Sequence, residues 1–171
     1  MKHLMVGYGS LLSHKSLKRT LHNKHFHPVI IKGYKRVFDV MDYKSKDPDV
    51  LNLEKSKKNF INGVLFEVNE NELMKLKKRE DAYNLEETKC YDFETKKSFG
   101  SCLICIDHHV AIDHHHKYPN KRYFVLCREA AYHISKKFGQ VWDETTFTSS
   151  NKKVADWIKT HKEYDTINRR Q

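Results

Sequence analysis

The sequence predicts an α+β fold, a mostly antiparallel sheet or barrel with helices packed on it. Extended runs come first in clusters and helical runs come later, without the strict alternation of a doubly wound parallel sheet. The chain has 171 residues, the size of one ordinary domain of about 100–200 residues. With 39% hydrophobic and 32% charged residues, and only six glycines and three prolines, it is neither collagen-like nor of low complexity nor mainly disordered. We therefore expect a single domain over residues 1–171, with 151–171 as a C-terminal helical extension.

The elements follow in order. Leu4-Met5-Val6 is a short apolar strand running into Gly7-Tyr8-Gly9-Ser10. From Pro28 to Met41 a second extended run carries Val29-Ile30-Ile31 and Val37-Phe38-Asp39-Val40 on either side of Gly33. Residues 44–49 form a polar loop. Leu51 to Glu54 and Ile61 to Val68 alternate at period two, and Lys55 to Asn59 between them reads as a hairpin turn. Asn69 then caps a helix, with Glu72 where a capping-box acid reaches back. Leu73 and Leu76 mark its apolar face, the next step of four lands on Glu80, and Tyr83 continues the stripe. A carboxylate thus stands where the spacing calls for a leucine, and such conflicts fall at functional or strained sites. Tyr91 to Phe93 and Cys102 to Ile106 are further strands. After Pro119, Asn120 caps a long helix with the face Phe124, Cys127, Ala131, Ile134, Phe138. Asn151 to Lys162 holds a short helix bearing Val154, Trp157 and Ile158.

Several function classes recede. Apolar runs stay far below the roughly 20 residues of a membrane span, and the first ten residues lack a signal-peptide pattern. A soluble, cytoplasmic protein is expected, assumed monomeric. The net charge of +10 raises nucleic acid as a partner, but the excess is diffuse and no run of five basic residues occurs, which argues against it. Cys102 and Cys105 form the sole C-x-x-C, without a second pair. Three apart on a strand they point to opposite faces, so Cys90, Cys102, Cys105 and Cys127 read as buried free thiols rather than metal ligands. His108, His109, His114, His115 and His116 read as a solvated loop, because adjacent side chains point apart. No metal is expected.

Two places carry chemistry. A strand ending in Gly7-Tyr8-Gly9-Ser10-Leu11-Leu12 turns sharply and exposes backbone N–H groups that can hold a carboxylate or oxyanion; the other reading is a plain strand-to-helix turn. Glu80 on an apolar helix face loses hydration, which raises its pKa, while Lys77, Lys78 and Arg79 oppose the shift if they come close. Such a carboxylate suits acid–base work; it is otherwise a structural ion-pair partner. Tyr8, Tyr83 and Tyr123 are candidate hydroxyl donors.

Together these segments resemble the γ-glutamylcyclotransferase-like family, which includes AIG2-like proteins. Tyr8-Gly9-Ser10-Leu11 resembles the family's loop after the first strand, and Asn62-Gly63-Val64-Leu65-Phe66-Glu67-Val68 its central strand. Leu76-Lys77-Lys78-Arg79-Glu80-Asp81-Ala82-Tyr83 is similar to the L-D-x-x-E-x-x-Y segment that holds the family's catalytic glutamate. Tyr118-Pro119-Asn120-Lys121-Arg122-Tyr123, followed by Ala130-Ala131, resembles its late helix opening. Lys77, Asp81, Asn120 and Ala130 depart from the usual Asp, Gly, Ser and Gly. The resemblance implies a small mixed barrel with flanking helices and a cofactor-free reaction on a small γ-glutamyl amine or amino acid. Glu80 would act as general acid and base, giving 5-oxoproline, as in glutathione metabolism. Substrate would sit on Tyr8, Gly9, Ser10, Leu11 and Leu12, with Tyr83 and Tyr123 in support. Another γ-glutamyl transfer or removal step, and a non-catalytic module for an anionic ligand or nucleic acid, stay open as alternatives.

Overall fold

The computed structural model describes residues 1–42, 47–80, 83–107 and 118–168. Strand β1 (Lys2–Gly7) leads through a 3-10 turn (Ser10–Leu12) into α1 (His14–Leu17). The long strands β2 (His27–Asp42) and β3 (Asp47–Asn69) follow, then α2 (Glu70–Arg79), β4 (Asn84–Asp92) and β5 (Ser98–Ile106). Helices α3 (Lys121–Ile134) and α4 (Lys136–Thr145), the short β6 (Thr146–Phe147), α5 (Val154–Thr160) and a 3-10 turn (Lys162–Tyr164) complete the described chain.

The sheet closes on itself. β3 pairs antiparallel with both β1 and β2, β2 with β4 and β4 with β5, and β5 returns parallel to β1. This is the mixed, mostly antiparallel barrel; β6 adds parallel to β2 at Arg36 and Val37. Closure removes exposed strand edges. The fold class is α+β, as the clustering of elements predicts.

Three local expectations are corrected. Lys55 to Asn59 is not a hairpin turn: β3 runs through it, and the segments on either side pair with successive halves of β2. The pairing jumps from Lys32↔Phe60 to Tyr34↔Lys55, so four residues of β3 bulge opposite Gly33. Gly33 has φ +88, a left-handed conformation that glycine adopts freely. The late helix is two helices rather than one. Ser135 is extended and ends α3 while its hydroxyl caps α4 by accepting the Phe138 N–H. The third correction concerns Glu80. Helix α2 has the full capping box at Asn69 and Glu72 but ends at Arg79, so Glu80 is its C-cap, with φ −98 and ψ 41. Tyr83 stands beyond a turn closed by its N–H to the Glu80 carbonyl.

The core is continuous from barrel to helices. Phe38 of β2, Phe124 of α3 and Trp142 of α4 are fully buried and meet in tilted and edge-on contacts, and Trp157 of α5 packs on Phe124. Burying a ring such as Phe124 is worth about 2–3 kcal/mol relative to exposure. Cys90, Cys102, Cys105 and Cys127 are all buried and free. Among the described residues no helix is long and apolar enough to cross a membrane. The His-rich stretch 108–116, the polar-loop residues 44–46, and Asp81 and Ala82 lie outside the described residues.

Candidate active site

Parallel pairing of β1 and β5 brings their C-terminal ends to one rim of the barrel, and the candidate residues gather there. Tyr8, just past β1, is buried and donates its hydroxyl to the Cys105 carbonyl near the end of β5 at 2.6 Å. Tyr83 donates to the Leu51 carbonyl of β3 at 2.8 Å. Tyr123 enters from the first turn of α3, where Asn120 accepts its N–H at 2.8 Å. A Cβ on Gly9 would lie 2.7 Å from the Tyr123 hydroxyl oxygen, so only glycine allows the loop and that phenol to meet. The turn is fixed by N–H donation from Leu12 to the Gly9 carbonyl and from Ser13 to that of Ser10. The N–H groups of Gly9, Ser10 and Leu11 take no partner among the described residues.

Glu80 faces this cluster. Its side chain is 18% exposed, and burial raises its carboxyl pKa against the opposing charge and hydrogen bond of Arg79. The exposed Lys77 and Lys78 do not enter that balance. Burial also pushes the Tyr8, Tyr83 and Tyr123 phenols well above their ordinary range, and the Glu80 charge adds to each shift. The three hydroxyls therefore stay protonated, and the Asp39 charge reaches Tyr8 and Tyr83 as well. Burial and then Glu80 lift the Cys105 thiol to about 12, which makes it inert as a nucleophile at neutral pH.

Arg79 ties the parts together. Its Nε donates to Glu80 Oε1 at 3.0 Å, Nη1 to the Ser16 carbonyl at 2.8 Å and Thr20 Oγ1 at 3.2 Å, and Nη2 to Ser16 Oγ at 2.8 Å and Ser10 Oγ at 3.3 Å. One guanidinium thus fastens α2, the loop and α1. A cavity of about 510 Å³ opens beside it, lined by Ser16, Val50, Asn120 and Tyr123 together with Lys15, Arg19 and Arg122. Neither Arg79 nor Glu80 is part of its lining.

All the sequence-predicted residues, Glu80, Tyr8 to Leu12, Tyr83 and Tyr123, meet in this region, with Leu11 and Leu12 as buried apolar backing. Two neighbours escaped the sequence reading. One is Arg79 as the fastening group. The other is Arg36, fully buried beneath the loop with Nη1 3.1 Å from the Tyr8 carbonyl. A signal for it existed: Arg36 shares the inward phase of Tyr34 and Phe38 along β2. Among the described residues no group of His, Cys, Asp or Glu is placed to hold a metal ion.

Fold and site together define a small closed barrel whose rim gathers tyrosine hydroxyls and a backbone turn about the largely buried Glu80 carboxylate. Residues 4–142 match the family model described as ChaC-like protein, and the chain belongs to that family, within the γ-glutamylcyclotransferase-like group. No curated protein matches. Among solved structures, one named "Gamma-glutamyl cyclotransferase" is 15% identical with TM-score 0.67, covering 94% of this chain and 99% of that one. An uncharacterized protein from Homo sapiens is 16% identical with TM-score 0.66, covering 92% and 98%. YkqA from Bacillus subtilis is 15% identical with TM-score 0.65, covering 81% of this chain and 52% of its own. At these identities the likeness shows the shared fold.

Proposed function

We propose that the protein is a γ-glutamyl cyclotransferase acting on a small γ-glutamyl amine, amino acid or peptide, within glutathione metabolism and in the cytoplasm. The observation that carries this reading is the placement of Glu80: a largely buried carboxylate with a raised pKa, bonded to the guanidinium that also holds Ser10 of the loop.

The chemistry follows from the parts. The loop Tyr8 to Leu12 holds the α-carboxylate of the glutamyl group on its backbone N–H groups. Glu80 takes a proton from the α-ammonium, and the freed amine attacks the γ-carbonyl carbon of the same molecule. The ring nitrogen gives up its second proton as the C–N bond to the leaving amine breaks; Glu80 passes the first proton to that nitrogen, the amine departs as its ammonium with the second, and 5-oxoproline is released. The nucleophile is already part of the substrate, so the protein mainly has to fold it into attack geometry, where intramolecular reactions gain most. The protonated phenol of Tyr123 is a donor for charge on the γ-carbonyl oxygen, with Tyr83, held on the Leu51 carbonyl, in support beside it. One carboxylate serves both proton transfers, and no cofactor is required.

The test is a screen of γ-glutamyl amino acids, γ-glutamyl amines and glutathione for 5-oxoproline release, with the parent and Glu80→Gln. The variant should fold, retain ligand binding and lose roughly 10²–10⁴-fold in rate, the worth of a positioned acid–base group. Turnover at the parent rate in Glu80→Gln would remove Glu80 from the mechanism.

A further inference from the structure

Among the described residues Arg36 and Arg128 are the buried arginines, and the two are held in opposite ways. Arg128 is bonded to two carboxylates, Asp143 and Asp165. Arg36 donates to the carbonyl of Tyr8 at 3.1 Å, the carbonyl and Oδ1 of Asn62 at 2.7 and 2.8 Å, and Oγ1 of Thr145 and Thr146 at 3.1 and 2.8 Å. It also reaches the Trp142 carbonyl at 3.5 Å. Every one of these acceptors is neutral. Asp143, a carboxylate whose charge raises the Arg36 pKa, is already taken by Arg128 and Tyr132.

A buried cation without a bonded carboxylate carries a desolvation cost. Fastening alone would be served by a neutral amide or by an ion pair like that of Arg128. Burial draws the Arg36 pKa down to about 9, so the group still carries its charge at neutral pH. That charge lies one peptide away from the loop: the Tyr8 carbonyl it binds belongs to the same peptide unit as the Gly9 N–H. Donation to that carbonyl polarises the N–H on the other side, and full burial of Arg36 lowers the screening of its field.

We propose that Arg36 is a positioning residue that supplies, from behind the Tyr8 to Leu12 loop, the positive charge with which the loop holds the α-carboxylate of a γ-glutamyl ligand. This rests on the cyclotransferase reading and adds the counter-charge for its substrate. The carboxylate is neutralised across a peptide bond rather than by direct contact, so Arg36 orients and attracts the ligand without touching it.

The experiment compares two ligands, a γ-glutamyl amino acid and its analogue whose glutamyl α-carboxylate is an α-carboxamide. Binding is measured by calorimetry in a Glu80→Gln background that stops turnover, with Arg36 intact, Arg36→Met or Arg36→Lys. With Arg36 intact the carboxylate is preferred. In Arg36→Met that preference falls by about 10- to 100-fold while carboxamide affinity stays within about twofold; Arg36→Lys keeps most of the preference. A purely structural role would weaken both ligands alike, and that result, or an unchanged preference, overturns the proposal. If Arg36→Met does not fold, the ¹⁵N-arginine spectrum with Arg36 intact decides. The Arg36 Nε–H resonance must move with the carboxylate ligand and not with the carboxamide, and equal or absent movement overturns the proposal. Separately, a parent protein that binds neither ligand and releases no 5-oxoproline would sink the cyclotransferase reading and Arg36's assignment with it. A parent that releases 5-oxoproline without preferring the carboxylate would sink the assignment alone.

Discussion

Arg79 Nε lies 3.0 Å from Glu80 Oε1, its neighbour in sequence, while Nη2 of the same guanidinium lies 3.3 Å from Ser10 Oγ in the loop. A residue at the last position of a helix is thereby bonded to the carboxylate that ends the helix and to the turn that faces it. Burial raises the Glu80 pKa, and Arg79 opposes it by charge and by hydrogen bond. On the proposed cyclotransferase reading Glu80 must be ionised to accept the first proton, so activity should rise with pH through its pKa.

Arg79→Gln removes the charge that holds that pKa down. The acid limb of the pH–rate profile should move to higher pH, and activity at the low end of the range should fall most. The substitution also breaks bonds to Ser16 and Thr20, for a stability loss of about 2 kcal/mol, since bonds to charged groups are each worth roughly 1.5–3 kcal/mol. Parent and variant profiles over the same pH series check this. An acid limb that stays in place or moves down contradicts the coupling.

Why some of this could be read from the sequence and some could not is a matter of which signals periodicity carries. Glu80 stood out because a carboxylate replaced the next leucine of an amphipathic stripe, and the fold does withdraw it from water. The helix end at Arg79 was invisible, because Glu80 and Tyr83 continue the stripe's spacing through the turn. Ser135 hides in the same way: Ile134 and Phe138 are four apart, so the apolar phase runs across the break between α3 and α4. The bulge at 56–59 has the polar composition of a turn, and only its partner strand, with Gly33 at φ +88, shows that the chain continues. Arg36 was masked because Val37 and Phe38 are both buried. A strand covered on both faces loses the alternation that would have marked the arginine as inward.

Gly9 gives a sharper mechanical test. A Cβ there would stand 2.7 Å from the Tyr123 hydroxyl and 3.6 Å from Leu51 Cδ1, so Gly9→Ala must displace the phenol or the loop. Overpacking of this kind costs about 1–3 kcal/mol, and a displaced loop should lower kcat/KM by more than the stability loss alone suggests. Tyr123→Phe removes the atom that is struck. The double variant Gly9→Ala/Tyr123→Phe should therefore recover most of the lost melting temperature, a non-additivity that a thermal-melt cycle measures. Strict additivity would show that Gly9 and Tyr123 do not meet.

The C-terminal segment is joined to the helices by charge as well as by Trp157. Arg128 binds Asp143 through Nε and Nη2, each at 2.9 Å, and Asp165 through Nη1 at 2.9 Å, and Tyr132 donates to Asp143 at 2.8 Å. All three charged residues are buried. Burial pushes the Asp165 carboxyl up, but bonds from Asn168 and Arg128 outweigh it and hold its pKa below the usual range. A carboxylate with a lowered folded pKa stabilises the fold above its unfolded pKa, and that contribution is lost as pH falls through the folded value. Arg128→Met leaves two carboxylates buried without their cation and should cost about 3–5 kcal/mol at neutral pH. Its deficit relative to the parent should shrink as the pH is lowered and the stranded carboxylates take up protons. Replacing both acids as well, in Arg128→Met/Asp143→Asn/Asp165→Asn, should restore most of the stability because no charge is left stranded. Denaturant melts across a pH series measure all three proteins. An Arg128→Met protein within about 1 kcal/mol of the parent at neutral pH would show that the network does not hold the C-terminal segment in place.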